Sequence, residues 1–339
     1  MGALFSVPML SFLLIPTMSS YSTSLNLLFF YLTWTTLVLS HPPLRVELVG
    51  TAAVRILFFL LPSLLFFLFD TTIPSAAAVI KVQGEDGLPG GKKTNVGKRE
   101  LKVAAWAVFN VVLGTVAQGL VEHFLTRGLG VKSALRVSTK LPLPWGIVKD
   151  LARGVLVREI IHYTLHRTVL HPSKPTFLSS LHKSWHHALP TPYPLTAHYD
   201  HPLPYLTLRF LPTFLPAALF RFHLLTYLVY LSLISLEETF AFAGYKTLPV
   251  PVGGMVVGGV ARRARVHVEG GGKEEFGVWG WVDWVVGTGE VEGEVEEEGE
   301  ESEWSEVDVR EIAERILRER RERRKSRARE GRGRLRRNV

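Results

Sequence analysis

Two neighbouring stretches decide the reading: Arg158 to Pro172, REIIHYTLHRTVLHP, and Leu181 to His187, LHKSWHH. The chain has 12 histidines, and eight of them, His162, His166, His171, His182, His186, His187, His198 and His201, fall between positions 162 and 201. The apolar periodicity of the first stretch predicts a helix that ends at His171-Pro172, because a residue before proline is driven out of the helical region. His162 and His166 are four apart and so share a face, as do His182 and His186, with His187 alongside. Imidazoles beside apolar spans are costly unless they serve a common purpose, and metal binding is that purpose. Two helices that face each other with imidazoles close a cage around one or two ions of iron, zinc or copper.

Outward from these stretches the chain reads as a membrane protein. Its 339 residues are 47% hydrophobic and 21% charged, with 19 Phe, more apolar than soluble domains usually are. Leu48–Phe69, broken only by Arg55 and Pro62, is the clearest spanning helix, with Val103–Leu120 next. Gly2–Met18 and Leu25–Ser40 are near the lower length limit and suggest a hairpin. Leu203–Phe242 contains Pro204, Pro212 and Pro216 and is long enough for a re-entrant hairpin or two short spans. The expected fold is all-α: an integral membrane bundle, a cytosolic histidine-rich helical cap, and a charged tail part disordered and part helical. The expected divisions are N-terminal membrane helices over 1–125, a histidine-bearing domain over 126–288 that includes the hairpin 203–242, and the tail 289–339.

Charge and cysteine content narrow the function. Residues 1–273 carry 25 basic against 12 acidic side chains, 274–309 none against 14, and 310–339 carry 14 against 5. The basic residues of the body flank apolar spans, which suits a membrane surface and argues against nucleic acid. With no cysteine, disulfides, iron-sulfur clusters, thiolate zinc sites and thiol nucleophiles are excluded. GLPGGKKT from Gly87 has one residue too few for a phosphate loop and no preceding strand, so 83–100 is a linker. The loops 71–102 and 126–183 are both basic with one apolar helix between them, and the longer second one is assigned to the cytosolic, histidine-bearing side. Gly253–Lys273, with two glycine pairs and a triplet, is expected to be a mobile loop that carries His267 as a lid.

These residues resemble the fatty acid hydroxylase/sterol desaturase superfamily of membrane-bound non-haem diiron enzymes, from about Leu151 to Thr288. Glu159, Tyr163, His166-Arg167 and His171 resemble its first box, and Leu181-His182 to His186-His187 its second, with one residue inserted. His201-Pro202, Gly244-Tyr245 and Asp283 to Gly287-Thr288 match its later landmarks. The third box is reduced to His267, and Phe242 stands where the family has a histidine before its Gly-Tyr. The resemblance implies iron held by His166, His171, His182, His186 and His187. His162, His198, His201, His223, His267 and Glu238 are candidates to complete the set, although a Glu238 paired with an arginine is an equal reading.

The implied activity is O2-dependent hydroxylation or desaturation of a sterol, sphingoid or fatty acyl lipid drawn from the bilayer. The implied setting is the endoplasmic reticulum membrane, with electrons from NAD(P)H through a reductase and a b-type cytochrome. Two other classes stay open. One is a pseudoenzyme that keeps the fold and binds or scaffolds lipid, which the reduced third box favours. The other is a zinc hydrolase, which lacks its usual His-Glu-x-x-His.

Overall fold

The computed structural model describes residues 21–90, 97–189, 191–245, 254–289 and Arg318. The first apolar stretch, Gly2–Met18, and all but the first residue and Arg318 of the expected tail lie outside the described residues. The fold is all-α, and no strand occurs among the described residues. Three helices are long and apolar enough to cross a membrane: α2 (Pro43–Thr72), α4 (Lys98–Gly128) and α9 (Leu224–Ala241). Around them lie α1 (Tyr21–Ser40), α3 (Pro74–Ile80), α5 (Pro144–Leu165), α6 (Phe177–Trp185), α7 (Pro202–Tyr205), α8 (Leu211–Leu219), α10 (Gly254–Glu269) and α11 (Trp281–Val286).

The distribution of side chains is that of a body immersed in lipid. On α4, Val108, Val112, Val116 and Leu120 recur every four residues and are exposed, while Asn110, Gln118 and Glu122 are buried. On α2, Leu57, Leu61, Leu65 and Leu68 face outward and Glu47, Arg55 and Ser63 inward. An apolar exterior over a polar interior fits a bilayer, where every polar group must find its partner inside the protein. Gln118 does so twice, donating to Glu47 at 2.7 Å and accepting from the Tyr227 hydroxyl at 3.0 Å.

Helix interruptions have local causes. Pro62 and Pro212 each lack an N–H and crowd the carbonyl four residues back. Each follows a wide, five-residue-per-bond turn, Ile56–Leu60 and Leu206–Phe210, which absorbs the conflict without breaking the span. The stretch read as a hairpin or two short spans is two antiparallel rods: α7, the wide turn and α8 lead away from the histidines, and α9 returns to them. Gly154 of α5 lets that helix cross this pair closely, since an added Cβ would lie 3.0 Å from Tyr230 and 3.2 Å from Phe222.

Two expectations change. The basic linker and the block 126–183 are expected on opposite sides, but Val82 N donates to Gly244 O at 3.0 Å and Arg99 donates to Ala188 O at 3.0 Å, which brings the first loop to the histidine end. Residues 131–143 instead lie at the far end, where Arg136 N donates to Phe222 O at 2.8 Å. Within that block, only α5 and the residues after it reach the histidines. Positive charge is therefore present at both ends, and the count of basic residues in each loop hides where a block turns. The second change is the predicted mobile loop 253–273, most of which is α10. Val260, Ala264 and His267 follow a helical period and pack inward, and the glycine triplet ends the helix, Gly271 and Gly272 having φ of 65° and 77°.

Candidate metal centre

The wide turn His166–Leu170 at the end of α5 shapes the first histidine pair. In an ideal α-helix, residues five apart diverge by roughly 140°. The turn closes with His171 N donating to His166 O at 2.9 Å, so both rings come onto one side with centroids 5.0 Å apart. On α6, Thr176 caps the start, accepting from Ser179 N at 3.2 Å. His182 lies on the buried face, and His186 stacks on it at 5.1 Å with an interplanar angle of 15°. His187 comes next, its Nε2 lying 3.2 Å from His171 Nε2. α10 brings a further ring: His267 is 4.3 Å from His166, 4.9 Å from His171 and 5.1 Å from His187. His162 lies 5.3 Å from His166 on the preceding turn.

Within this cluster His166, His171, His182 and His267 each offer a ring nitrogen, and the four nitrogens lie within 4.8 Å of one another. Ligands on a single first-row ion stand at most about 4.2 Å apart, twice a metal–nitrogen bond of about 2.1 Å, so a contraction of a few tenths of an ångström closes the set. The outer nitrogens are already committed. His166 Nδ1 pairs with Phe276 O at 2.8 Å, His267 Nδ1 with Glu274 O at 2.7 Å, and His182 Nδ1 with Asp200 Oδ2 at 2.6 Å. Facing carbonyls, the Nδ1 atoms of His166 and His267 must carry the proton, which leaves the Nε2 lone pairs free. The buried Nε2 atoms of His166, His182 and His267 and Nδ1 of His171 have no hydrogen-bond partner. Orphaned buried acceptors that converge on one point fit a cation, and the donor chemistry suits iron, zinc or copper.

Burial keeps these rings neutral. It lowers His171 to about 2, His182 and His267 to about 3, and His187 to about 4. It also holds Asp200 well above the usual carboxylate range. A cation on His182 Nε2 reverses the balance for Asp200, because positive charge one ring away favours the carboxylate.

The acidic landmarks of the sequence hold the loop that carries the carbonyl partners. Glu159 is buried and accepts from the backbone N–H groups of Val278 at 3.0 Å, Trp279 at 2.9 Å and Gly280 at 3.1 Å. Asp283 accepts from Phe276 N at 2.9 Å, Gly277 N at 2.6 Å and the Thr288 hydroxyl at 2.9 Å. Arg167 donates to the Tyr163 hydroxyl at 2.6 Å, and that hydroxyl reaches Thr288 Oγ1 at 3.0 Å. Glycine is required at 277, where a Cβ would lie 2.5 Å from both Asp283 Oδ2 and Glu159 Oε1. The αL backbone at Gly272 likewise makes room for the His171 ring.

Residues 151–288 match the family model for fatty acid hydroxylases. This segment is similar to the fatty acid hydroxylase family. The similarity agrees with an oxidoreductase in general terms, and the three long apolar helices agree with a membrane protein. No solved structure matches the chain.

Several of the remaining candidates from the sequence stand apart from the four-nitrogen set. His198 bonds to Tyr205 at 3.1 Å and Glu238 at 3.0 Å, and Glu238 also pairs with Arg55 at 2.6 Å, the arginine pairing allowed in the sequence. His201 and His223 cap α7 and α9, accepting from Leu203 N at 3.3 Å and Leu225 N at 3.1 Å. A histidine before the first turn of a helix serves as a cap as readily as a ligand, and spacing alone does not separate the roles. His186 lies in the cluster with Nδ1 3.2 Å from Tyr199 O. Asp200 escapes a reading of the sequence, although its place between His198 and His201 is the available signal. So does Arg209, which lines a cavity of about 50 Å³ beside the cluster with His162, His166, His186, His267 and Phe242.

Proposed function

We propose that the chain is an O2-dependent lipid hydroxylase or desaturase with a non-haem iron centre on His166, His171, His182 and His267, flanked by His162, His186 and His187. The convergence of four unpartnered ring nitrogens carries this reading. Iron would supply accessible oxidation states and open positions for activating O2 toward an unactivated C–H bond. The protein's own share is to hold neutral imidazoles in one tautomer through Phe276 O and Glu274 O, and to exclude water by burial. The substrate would be a sterol, sphingoid base or fatty acyl chain entering from the bilayer beside α9 and α10. Electrons would come from NAD(P)H through a reductase and a b-type cytochrome, since the sequence has no haem or flavin signature of its own. The reading places the chain in the endoplasmic reticulum membrane with the histidine end in the cytosol, where the reductant would be supplied.

A pseudoenzyme reading rests on one observation: Glu238 and His198 are spent on each other and on Arg55, so fewer ligands remain than the family offers. The two are separated by loading detergent-purified protein with Fe2+ under anaerobic conditions and measuring lipid product with NAD(P)H, reductase and cytochrome. Wild type should retain iron and form a hydroxylated or desaturated product. His182→Ala and His186→Ala should lose both, and His41→Ala and His123→Ala neither. Iron retention with no oxidation of any lipid class would favour the pseudoenzyme, and turnover by His182→Ala would refute the assigned centre.

A further inference from the structure

The donors on the two sides of the cluster are unequal. On one side are the four convergent nitrogens. On the other, across the small cavity, are His162, His186, Glu238 and Phe242, with Arg209 reaching in from the wide turn Leu206–Phe210. A second ion does not fit that side. Phe242 offers no donor, and Glu238 is bound through one oxygen to Arg55 at 2.6 Å and His198 at 3.0 Å; His162 and the other oxygen of Glu238 keep unpartnered atoms, but among the described residues no second group of three donors converges within 4.8 Å. Arg209 brings a permanent positive charge.

The charge balance around the cavity sharpens the point. Three arginines, Arg55, Arg158 and Arg209, stand with Glu237 and Glu238, and a further carboxylate, Glu275, lines the cavity and lies 3.5 Å from Arg263. Arg55 takes Glu238, and Arg158 takes Glu237 at 2.8 Å. Among the described residues Arg209 is left with no carboxylate within 4.0 Å, and its guanidinium lies over the Phe242 ring, 5.3 Å from the centroid. A guanidinium with no carboxylate in contact repels any cation that shares so small a cavity. Its field adds to that of Arg55 and Arg158 at Glu238 and Glu237, where a second cation would otherwise act.

We infer that the centre holds a single metal ion, and that Arg209 stands in for the charge of a second. This rests on the four-histidine site proposed above, and it departs from the two-ion centre that the family resemblance implies. Arg209 is a positioning and exclusion residue, acting on the cavity's field and not as a ligand.

The test counts metal, independently of turnover. Detergent-purified chain is stripped with chelator, reloaded with Fe2+ alone under anaerobic conditions, freed of excess metal, and assayed by mass spectrometry for iron per chain. Gel filtration in the same detergent confirms that each variant is folded. Wild type should carry one iron, Arg209→Lys one, and His182→Ala close to none. The double variant Arg209→Gln/Phe242→His removes the charge and restores a donor, and should rise toward two. Two irons in wild type would overturn the single-ion inference and leave the histidine centre standing. No iron in wild type would overturn both. A folded double variant that stays at one iron would overturn the part given to Arg209.

Discussion

Asp200 offers the most direct test of how the centre is tuned. Its Oδ2 lies 2.6 Å from His182 Nδ1 in a buried pair, so it orients the ring and raises the basicity of Nε2. Removing such a partner typically weakens metal binding about 10- to 100-fold, or roughly 1.4 to 2.8 kcal/mol. Asp200→Asn keeps an acceptor oxygen and loses the charge, so it should fall near the lower limit. Asp200→Ala loses both and should fall near the upper one. The loop itself should survive either change, because Asn110 Nδ2 donates to the backbone oxygens of His198 and Asp200 at 2.9 Å each. Competition against a chelator of known affinity gives the dissociation constants, and melting supplies an independent check. Metal at 100 times its dissociation constant adds about 2.7 kcal/mol to stability, and a tenfold weaker site should lose about half of that. If Asp200→Ala binds Fe2+ as tightly as wild type, His182 is not a ligand held by Asp200 and the assignment of its two nitrogens is wrong.

His267→Ala should reduce iron retention at least tenfold, measured by the same competition; unchanged retention would make the histidine of α10 vestigial. Glu159→Gln should destabilise the protein by about 1.5 to 3 kcal/mol, seen as a lower melting temperature, because one charged acceptor serves three backbone N–H groups. Acid should release metal and weaken the fold together. The histidine pKa values are depressed in the folded state, so the unfolded chain takes up protons first, and stability present above about pH 6.5 is lost as pH falls toward the 2 to 4 range, at up to about 1.4 kcal/mol per pH unit for each ring. A melting temperature flat from pH 7 to 4 would contradict this burial.

The legible features of the sequence are periodic or crowded. The apolar runs of α2, α4 and α9 and the congestion of histidines are local patterns, and local patterns fix helices and their faces. The pairing of Glu238 with Arg55 joins residues 183 positions apart, and no pattern in either neighbourhood records it. The five-residue spacing of His166 and His171 is irregular for a helix face, and only the wide turn, which has no sequence signature of its own, reconciles it. Glycine misleads at α10. Gly258 and Gly259 suggest a loop, yet the packing of Val260, Ala264 and His267 outweighs a helix-propensity cost of about 1 kcal/mol for each glycine. Basic loops give an incorrect arrangement for a similar reason, since charge counts ignore where 126–183 turns back through the bundle.

The carbonyls that fix the tautomers of His166 and His267 belong to Phe276 and Glu274, and the loop bearing them is fastened by Asp283 to Thr288. The first-made rings of the cluster, His166 and His171, therefore wait more than a hundred residues for the groups that complete their environment. During synthesis the ribosome must release the chain past Thr288 before a full set of ring nitrogens exists to hold an ion. If the centre proposed above takes up a metal, its capture is then a late event in biogenesis.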